Sequence, residues 1–232
     1  MTNEMISRID QIGESMVHCN KNCAGVKIDI RNGYVPRCLI FEKRIDSYTT
    51  GCVIVGESPG FIRDYEAKQY KKILEDNGTL TYRDIKELWD KNLVARDYYE
   101  KIRDRFLDEL IEPRNILWTD IVKCEIADPK QEPRLITQTV RNCVKLYLLE
   151  ELKAVPSRWP IIALGPDIYK TVALLALDRT IIGLYHPSNR SQQYNKCYLD
   201  SNRKIKPQIR ERFSEVVNND KKESVFIGKE PY

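Results

Sequence analysis

Three polar residues stand at the ends of apolar runs or within one. Glu57 follows Gly51-Cys52-Val53-Ile54-Val55-Gly56, Asp120 lies inside Asn115-Ile116-Leu117-Trp118-Thr119-Asp120-Ile121-Val122, and His186 follows Thr180-Ile181-Ile182-Gly183-Leu184-Tyr185. A carboxylate can orient a water or face a cationic centre, and an imidazole can donate a hydrogen bond to a group gaining negative charge. The seven cysteines form a second set. An odd count in an intracellular chain argues against a disulfide framework, so metal or cluster ligation is the better reading for those that cluster. Cys19 and Cys23 are close in sequence, Cys38 follows, and Cys124 and Cys143 lie far downstream. Cys52 sits in an apolar run and reads as core, whereas Cys197 sits in a polar stretch.

Strands must deliver the acids and the histidine. The three runs above, with Trp159-Pro160-Ile161-Ile162-Ala163-Leu164-Gly165, are continuously apolar, as in parallel sheets covered on both faces. The charged stretches between them carry helical spacing, most clearly in Phe61 to Pro113 and in Thr137 to Leu152, where Val140, Cys143, Val144 and Tyr147 share a face. The expected class is therefore α/β, with ligands at the carboxyl ends of the strands. A chain of 232 residues, 42% hydrophobic and 31% charged, supports one domain. It has no run of roughly 20 apolar residues and no apolar centre near its start, so a soluble cytoplasmic protein is expected, with no membrane partner. The net charge of +4 does not by itself announce nucleic acid. Between His186 and Arg212, however, seven Lys/Arg face two acids, a local +5.

The motifs GESPG (56 to 60), ILWTDIVKC (116 to 124), the helix cysteine Cys143 before a strand ending in LG, and HPS (186 to 188) occur in an order that resembles the uracil-DNA glycosylase superfamily. The closest likeness is to its iron–sulfur-containing, family 4-like branch. The resemblance spans about residues 50 to 190, between an N-terminal cysteine segment (1 to 49) and a basic C-terminal segment (189 to 232). It implies a three-layer α/β/α sandwich around a central, mostly parallel four-stranded sheet, acting on DNA as a monomer. It also implies that Cys19, Cys23, Cys124 and Cys143 hold a [4Fe–4S] cluster, with zinc the alternative for the same donors. The first pair departs from the family's C-x-x-C spacing, and Cys38 could compete for a place.

Base excision lets a glycosidic bond break toward an oxocarbenium-like sugar while the base leaves as an anion. The matching positions make Glu57 the catalytic carboxylate and His186 the donor to the departing base. Ser58 and Gly60 become pocket backbone, Phe61 the candidate for stacking on the base, and Ser188 a phosphate contact. The basic segment, Arg190 and Lys196 included, matches the DNA-gripping region. The familiar leucine plug after HPS is absent, which leaves Arg190, Gln193 and Tyr194 as substitutes for filling the gap left by a flipped base.

Asp120 stands where the family motif has Asn. An Asn amide both donates and accepts and so reads uracil, whereas an ionised Asp only accepts and suits the N4 amino group of cytosine. A protonated Asp120 could donate to N3 of a cytosine, or read uracil in an ordinary repair glycosylase. Gly60 leaves room near the pyrimidine C5 position. The expectation is a monofunctional glycosylase for a modified cytosine, such as hydroxymethyl- or glucosyl-hydroxymethylcytosine of phage DNA, in antiviral defence. The other readings are uracil excision in repair, a catalytically silent DNA- or partner-binding relative, and an unrelated nucleotide-handling α/β enzyme.

Overall fold

The computed structural model describes residues 2–44, 50–93, 97–107, 110, 115–127, 137–176, 178–187, 192–219 and 221–228. The apolar runs become strands with little slippage. β3 (Cys52–Gly56), β4 (Asn115–Asp120), β6 (Ile161–Leu164) and β7 (Ile181–Leu184) are buried at every position, as expected when both faces of a sheet are covered. β2 (Leu39–Lys43) and β8 (Ser224–Phe226) complete a six-stranded sheet in the order β2-β4-β3-β6-β7-β8. The sequence led us to expect four strands. The two additional ones are the edges, and their partly exposed residues lack the continuous apolar signature of the interior strands.

The pairs β3–β6, β6–β7 and β7–β8 are parallel, with Val53 opposite Ile161, Ile161 opposite Ile181 and Ile181 opposite Ser224. Parallel neighbours need helical crossovers. The helix Pro166–Leu175 supplies the one between β6 and β7, starting on Gly165 at φ 119° with Pro166 in its first turn. A Cβ at Gly183 in β7 would overlap the Tyr169 and Phe226 rings, so this strand position requires glycine. The chain thus has the α/β fold of a mostly parallel sheet with helices, consistent with a three-layer α/β/α arrangement.

Two compact units share the chain, each assembled from three segments. The first comprises residues 1–41, 57–91 and 118–155, the second 42–56, 92–117 and 156–232. Within the first, a two-stranded antiparallel ladder joins β1 (Val26–Lys27) to β5 (Glu125–Ile126). Its helices include Thr2–Val17, Asp64–Asn77 and Tyr82–Leu88, the last opened by a Thr81/Asp84 capping box. The amphipathic segment read from the sequence runs from Thr137 to Ala154, with a π turn over Val144–Leu148. The second unit adds Asp97–Ile102, Gln193–Tyr198 and Pro207–Asn218. Among the described residues no helix is long and apolar enough to cross a membrane.

Candidate active site and cysteine centre

In the first unit, chain direction alone places Glu57 and Asp120 just past or at the ends of β3 and β4. The Val122 amide donates to the Glu57 carbonyl at 3.0 Å, tying the two strand ends together. The Glu57 residue is exposed, Ser58 half-buried, and Gly60 exposed. A Cβ built at Gly60 meets no atom within 4 Å, so the space beside this glycine is open. Phe61 is 52% exposed, an unusual state for a large apolar ring, and Tyr65 nearby is 38% exposed.

Asp120 is different. It is 7% exposed, and burial raises its carboxyl to about 6, against the opposing effects of a hydrogen bond with Cys38 and the charges of Lys123 and Arg37. It is therefore mostly ionised at neutral pH. The Lys123 ammonium is fully buried. It donates to the Asp120 carbonyl at 2.7 Å, to Thr119 Oγ1, and to the Glu151 carboxylate at 2.8 Å, while Thr119 Oγ1 donates to Glu151 at 2.6 Å. Lys123 fixes the strand end that carries Asp120 from below.

The Gly60 loop is braced by groups the sequence did not mark as functional. Arg37, 6% exposed, donates from Nη2 to the Gly60 carbonyl and lies 3.4 Å from Glu125 and 3.6 Å from Glu66. Glu125 in turn accepts from the Ile62 amide at 2.7 Å. Arg37 and Cys38, the latter read from the sequence only as a competing metal ligand, are adjacent in an apolar stretch, VPRCL, and an arginine isolated there is the signal that could have drawn attention to Arg37.

Four cysteines of this unit act on one another. Cys19 follows the first helix, its amide bonded to the Met16 carbonyl at 3.0 Å. The Cys23 loop is held to the helix beginning at Thr137 by Thr139 Oγ1 donating to the Ala24 carbonyl at 2.7 Å, and Asn142 Nδ2 lies 3.9 Å from the Cys23 sulfur. Burial, then the neighbouring Cys143, Cys19 and Cys23, pushes the Cys124 thiol far up. Burial also raises Cys143, with Cys23 and Cys19 adding to the effect, and Tyr147 shares a side-chain hydrogen bond with Cys19. Cys38 pairs with Asp120. Chemically, four soft thiols, two of which, Cys124 and Cys143, are held from ionising by burial, have the donor type that a soft cationic guest takes as thiolates. Among the described residues no three His, Cys, Asp or Glu side chains are drawn together as the ligand set of a single ion.

His186 belongs to the second unit, just beyond β7. Its ring stacks on Tyr98 with centroids 5.4 Å apart and planes at 28°, and burial lowers its pKa, so the imidazole is neutral at pH 7. Lys196 is exposed on the helix Gln193–Tyr198. Tyr194, one of the expected substitutes for a plug, is instead buried, packed on Phe106 and Tyr198, with its hydroxyl 3.3 Å from the Lys101 carbonyl. Its place on the inward face of a short helix withdraws it from that role, while Gln193 is exposed. Ser188 and Arg190 lie outside the described residues.

The family model described as Uracil DNA glycosylase superfamily matches residues 43–213. That span contains Glu57, Asp120, Cys124, Cys143 and His186, whereas Cys19, Cys23, Arg37 and Cys38 precede it. No curated protein matches the chain significantly. With nearly three-quarters of its length covered by that match, the chain belongs to the uracil-DNA glycosylase superfamily.

Proposed function

We propose that the protein is a monofunctional DNA glycosylase that hydrolyses the N-glycosidic bond of a flipped cytosine-type base, and that its target is a C5-modified cytosine. Superfamily membership supports glycosylase chemistry on DNA. The narrower reading rests on Asp120, a buried carboxyl at a strand end that is largely ionised at neutral pH. As an acceptor it suits the N4 amino group of cytosine. Opposite uracil O4 it would set two acceptors against each other, at a cost on the order of 1–3 kcal/mol. Open space at Gly60 suits a substituent on C5. Since removal of ordinary cytosine would damage a cell's own genome, a modified base of invading DNA, hydroxymethylated or glucosylated, is the target consistent with survival of the host.

In this reaction Glu57 faces the sugar as it gains positive charge and orients the attacking water, and neutral His186 donates a hydrogen bond to the departing base. Phe61 stacks on the base, while Ser58 and Gly60 line it with backbone groups. Ser188, Arg190 and Lys196 hold phosphates in sequence-independent contacts. No lysine nucleophile is assigned, so the abasic product is released uncut.

The four cysteines Cys19, Cys23, Cys124 and Cys143 fit a [4Fe–4S] cluster in donor chemistry, and a cluster held by them would join the N-terminal segment to the segment that follows Asp120. The same thiolates could take zinc. Reducing intracellular conditions, the cytoplasm in particular, suit this use of free thiols. The functional reading is tested by mass spectrometry of bases released from uracil-containing, unmodified and glucosylated-cytosine DNAs. Release of the modified cytosine is expected, and uracil release without any cytosine-type product would overturn it.

A further inference from the structure

Arg37 and Cys38 are consecutive residues, yet their side chains serve two different parts of the same unit. Arg37 reaches the Gly60 carbonyl and the carboxylates of Glu66 and Glu125, the second of which holds the Ile62 amide. Cys38 reaches the carboxylate of Asp120. The backbone is arranged for this divergence. The Arg37 amide donates to the Lys123 carbonyl at 2.7 Å, which anchors the dipeptide to the segment following β4, and Cys38 adopts φ 73°. A non-glycine residue in that left-handed region is strained, and such strain persists where the surroundings over-determine it. Glycine would relieve it but would carry no thiol.

Stability alone does not account for the pair. Arg37 Nη1 is buried with no hydrogen-bond partner among the described residues, although the other guanidinium nitrogens are engaged. An orphaned buried donor lowers stability. A buried ion network of this type is often replaced by apolar packing with no loss of stability, so its presence here points to arrangement. We propose that Arg37 and Cys38 are positioning residues of the base pocket, Arg37 fixing the Gly60–Ile62 loop and Cys38 fixing the Asp120 carboxylate as a hydrogen-bond acceptor.

This inference rests on the glycosylase reading for its meaning, but its geometry can be examined without substrate. The Cys38 thiol donates to Asp120, leaving the remaining lone pairs of the carboxylate to accept from a base. The charged and titratable groups acting on Asp120 are Cys38, Lys123, Arg37 and Glu151, and the first three favour its ionised form. Deleting the thiol should therefore raise the carboxyl's titration point. Replacing the guanidinium by an ammonium should leave that point nearly unchanged while loosening the loop, because a lysine cannot bridge Gly60, Glu66 and Glu125 together.

The test uses the full chain with its native complement of metal, as wild type, Cys38→Ser, Cys38→Gly and Arg37→Lys. Isotope-edited infrared titration follows the Asp120 carboxyl, identified by its loss in Asp120→Asn, and hydrogen exchange follows the amides of residues 60 to 62. Cys38→Gly suits the positive φ and is expected to fold. It should shift the Asp120 titration upward by roughly half a unit or more, and Cys38→Ser should restore most of that shift. Arg37→Lys should speed exchange at Ile62 about tenfold or more, with kcat falling and KM for the modified duplex little changed. Unshifted titration in Cys38→Gly, or wild-type exchange in Arg37→Lys, would overturn the assignment. If both physical changes appear but no base is released from any DNA, the glycosylase reading fails and the positioning geometry stands.

Discussion

At the scale of residues, the groups proposed to act on the substrate differ in their surroundings from those proposed to hold them in place. Glu57 is exposed, whereas the neutral His186 ring stacks on Tyr98 and so also contributes packing to the folded state. Glu57→Gln and His186→Ala should each lower kcat by about 10²–10⁴, the first leaving the thermal midpoint close to wild type and the second lowering it through loss of the Tyr98 stack, as read by steady-state base release and calorimetry. Asp120 behaves in the opposite way. Its folded-state pKa of about 6 lies above the ordinary 3.8, so the folded protein binds the proton more tightly than the unfolded chain. No cost arises below the unfolded value; it develops as pH rises from about 4 to 6 and is complete above, reaching up to about 3 kcal/mol. Asp120→Asn should thus be more stable than wild type at neutral pH, with the advantage vanishing near pH 4 in denaturant titrations. Glu57, Asp120 and His186 were legible in the sequence because Glu57 and His186 each follow an apolar run and Asp120 interrupts one. Arg37 was not, and Cys38 was read only as a competing metal ligand, because their partners are brought to them by segments far along the chain, Glu57–Lys91 and Trp118–Val155.

At the scale of elements, β4 is the strand that carries Asp120, and its carboxyl end is stabilised by a fully buried ion pair. Lys123 and Glu151 sit 2.8 Å apart at 1% and 0% side-chain exposure, with Thr119 bonded to both. Removing one partner strands the other charge, at a cost of about 3–5 kcal/mol. Glu151→Ala is expected to lose that much in chemical denaturation, whereas removal of the half-exposed Glu150, which pairs with Arg8 at 3.0 Å in a solvent-screened contact, should leave stability close to wild type. Equal effects of the two substitutions would show that the strand end does not rely on the buried pair. The interior strands were readable from continuous apolar runs, and the Thr137–Ala154 helix from its period. The edge strands β2 and β8 escaped because Leu39–Lys43 and Ser224–Phe226 are short and half-exposed, and a sequence pattern carries little of what an edge neighbour decides. The burial of Tyr194 was hidden for a related reason: in a six-residue helix a polar-flanked aromatic does not reveal which way it faces.

At the scale of the whole molecule, the proposed cysteine centre belongs to the first unit and the basic segment to the second. Loss of any of Cys19, Cys23, Cys124 or Cys143 to serine should abolish a broad visible absorption and lower the thermal midpoint in anaerobically purified protein, while Cys38→Ser keeps the colour. A colourless wild type holding one equivalent of zinc would replace the cluster by the alternative metal. DNA affinity should fall steeply with salt, and Lys196→Ala should make the slope shallower by about one unit. The central claim is that an ionised carboxylate reads a cytosine-type base. It is tested most directly by comparing release rates from matched duplexes carrying uracil or glucosylated hydroxymethylcytosine, for wild type and Asp120→Asn near neutral pH. The account predicts that wild type favours the modified cytosine and that the substitution moves the ratio toward uracil by roughly tenfold or more, the equivalent of ~1–3 kcal/mol. Preference for uracil by wild type, unchanged in Asp120→Asn, would contradict it.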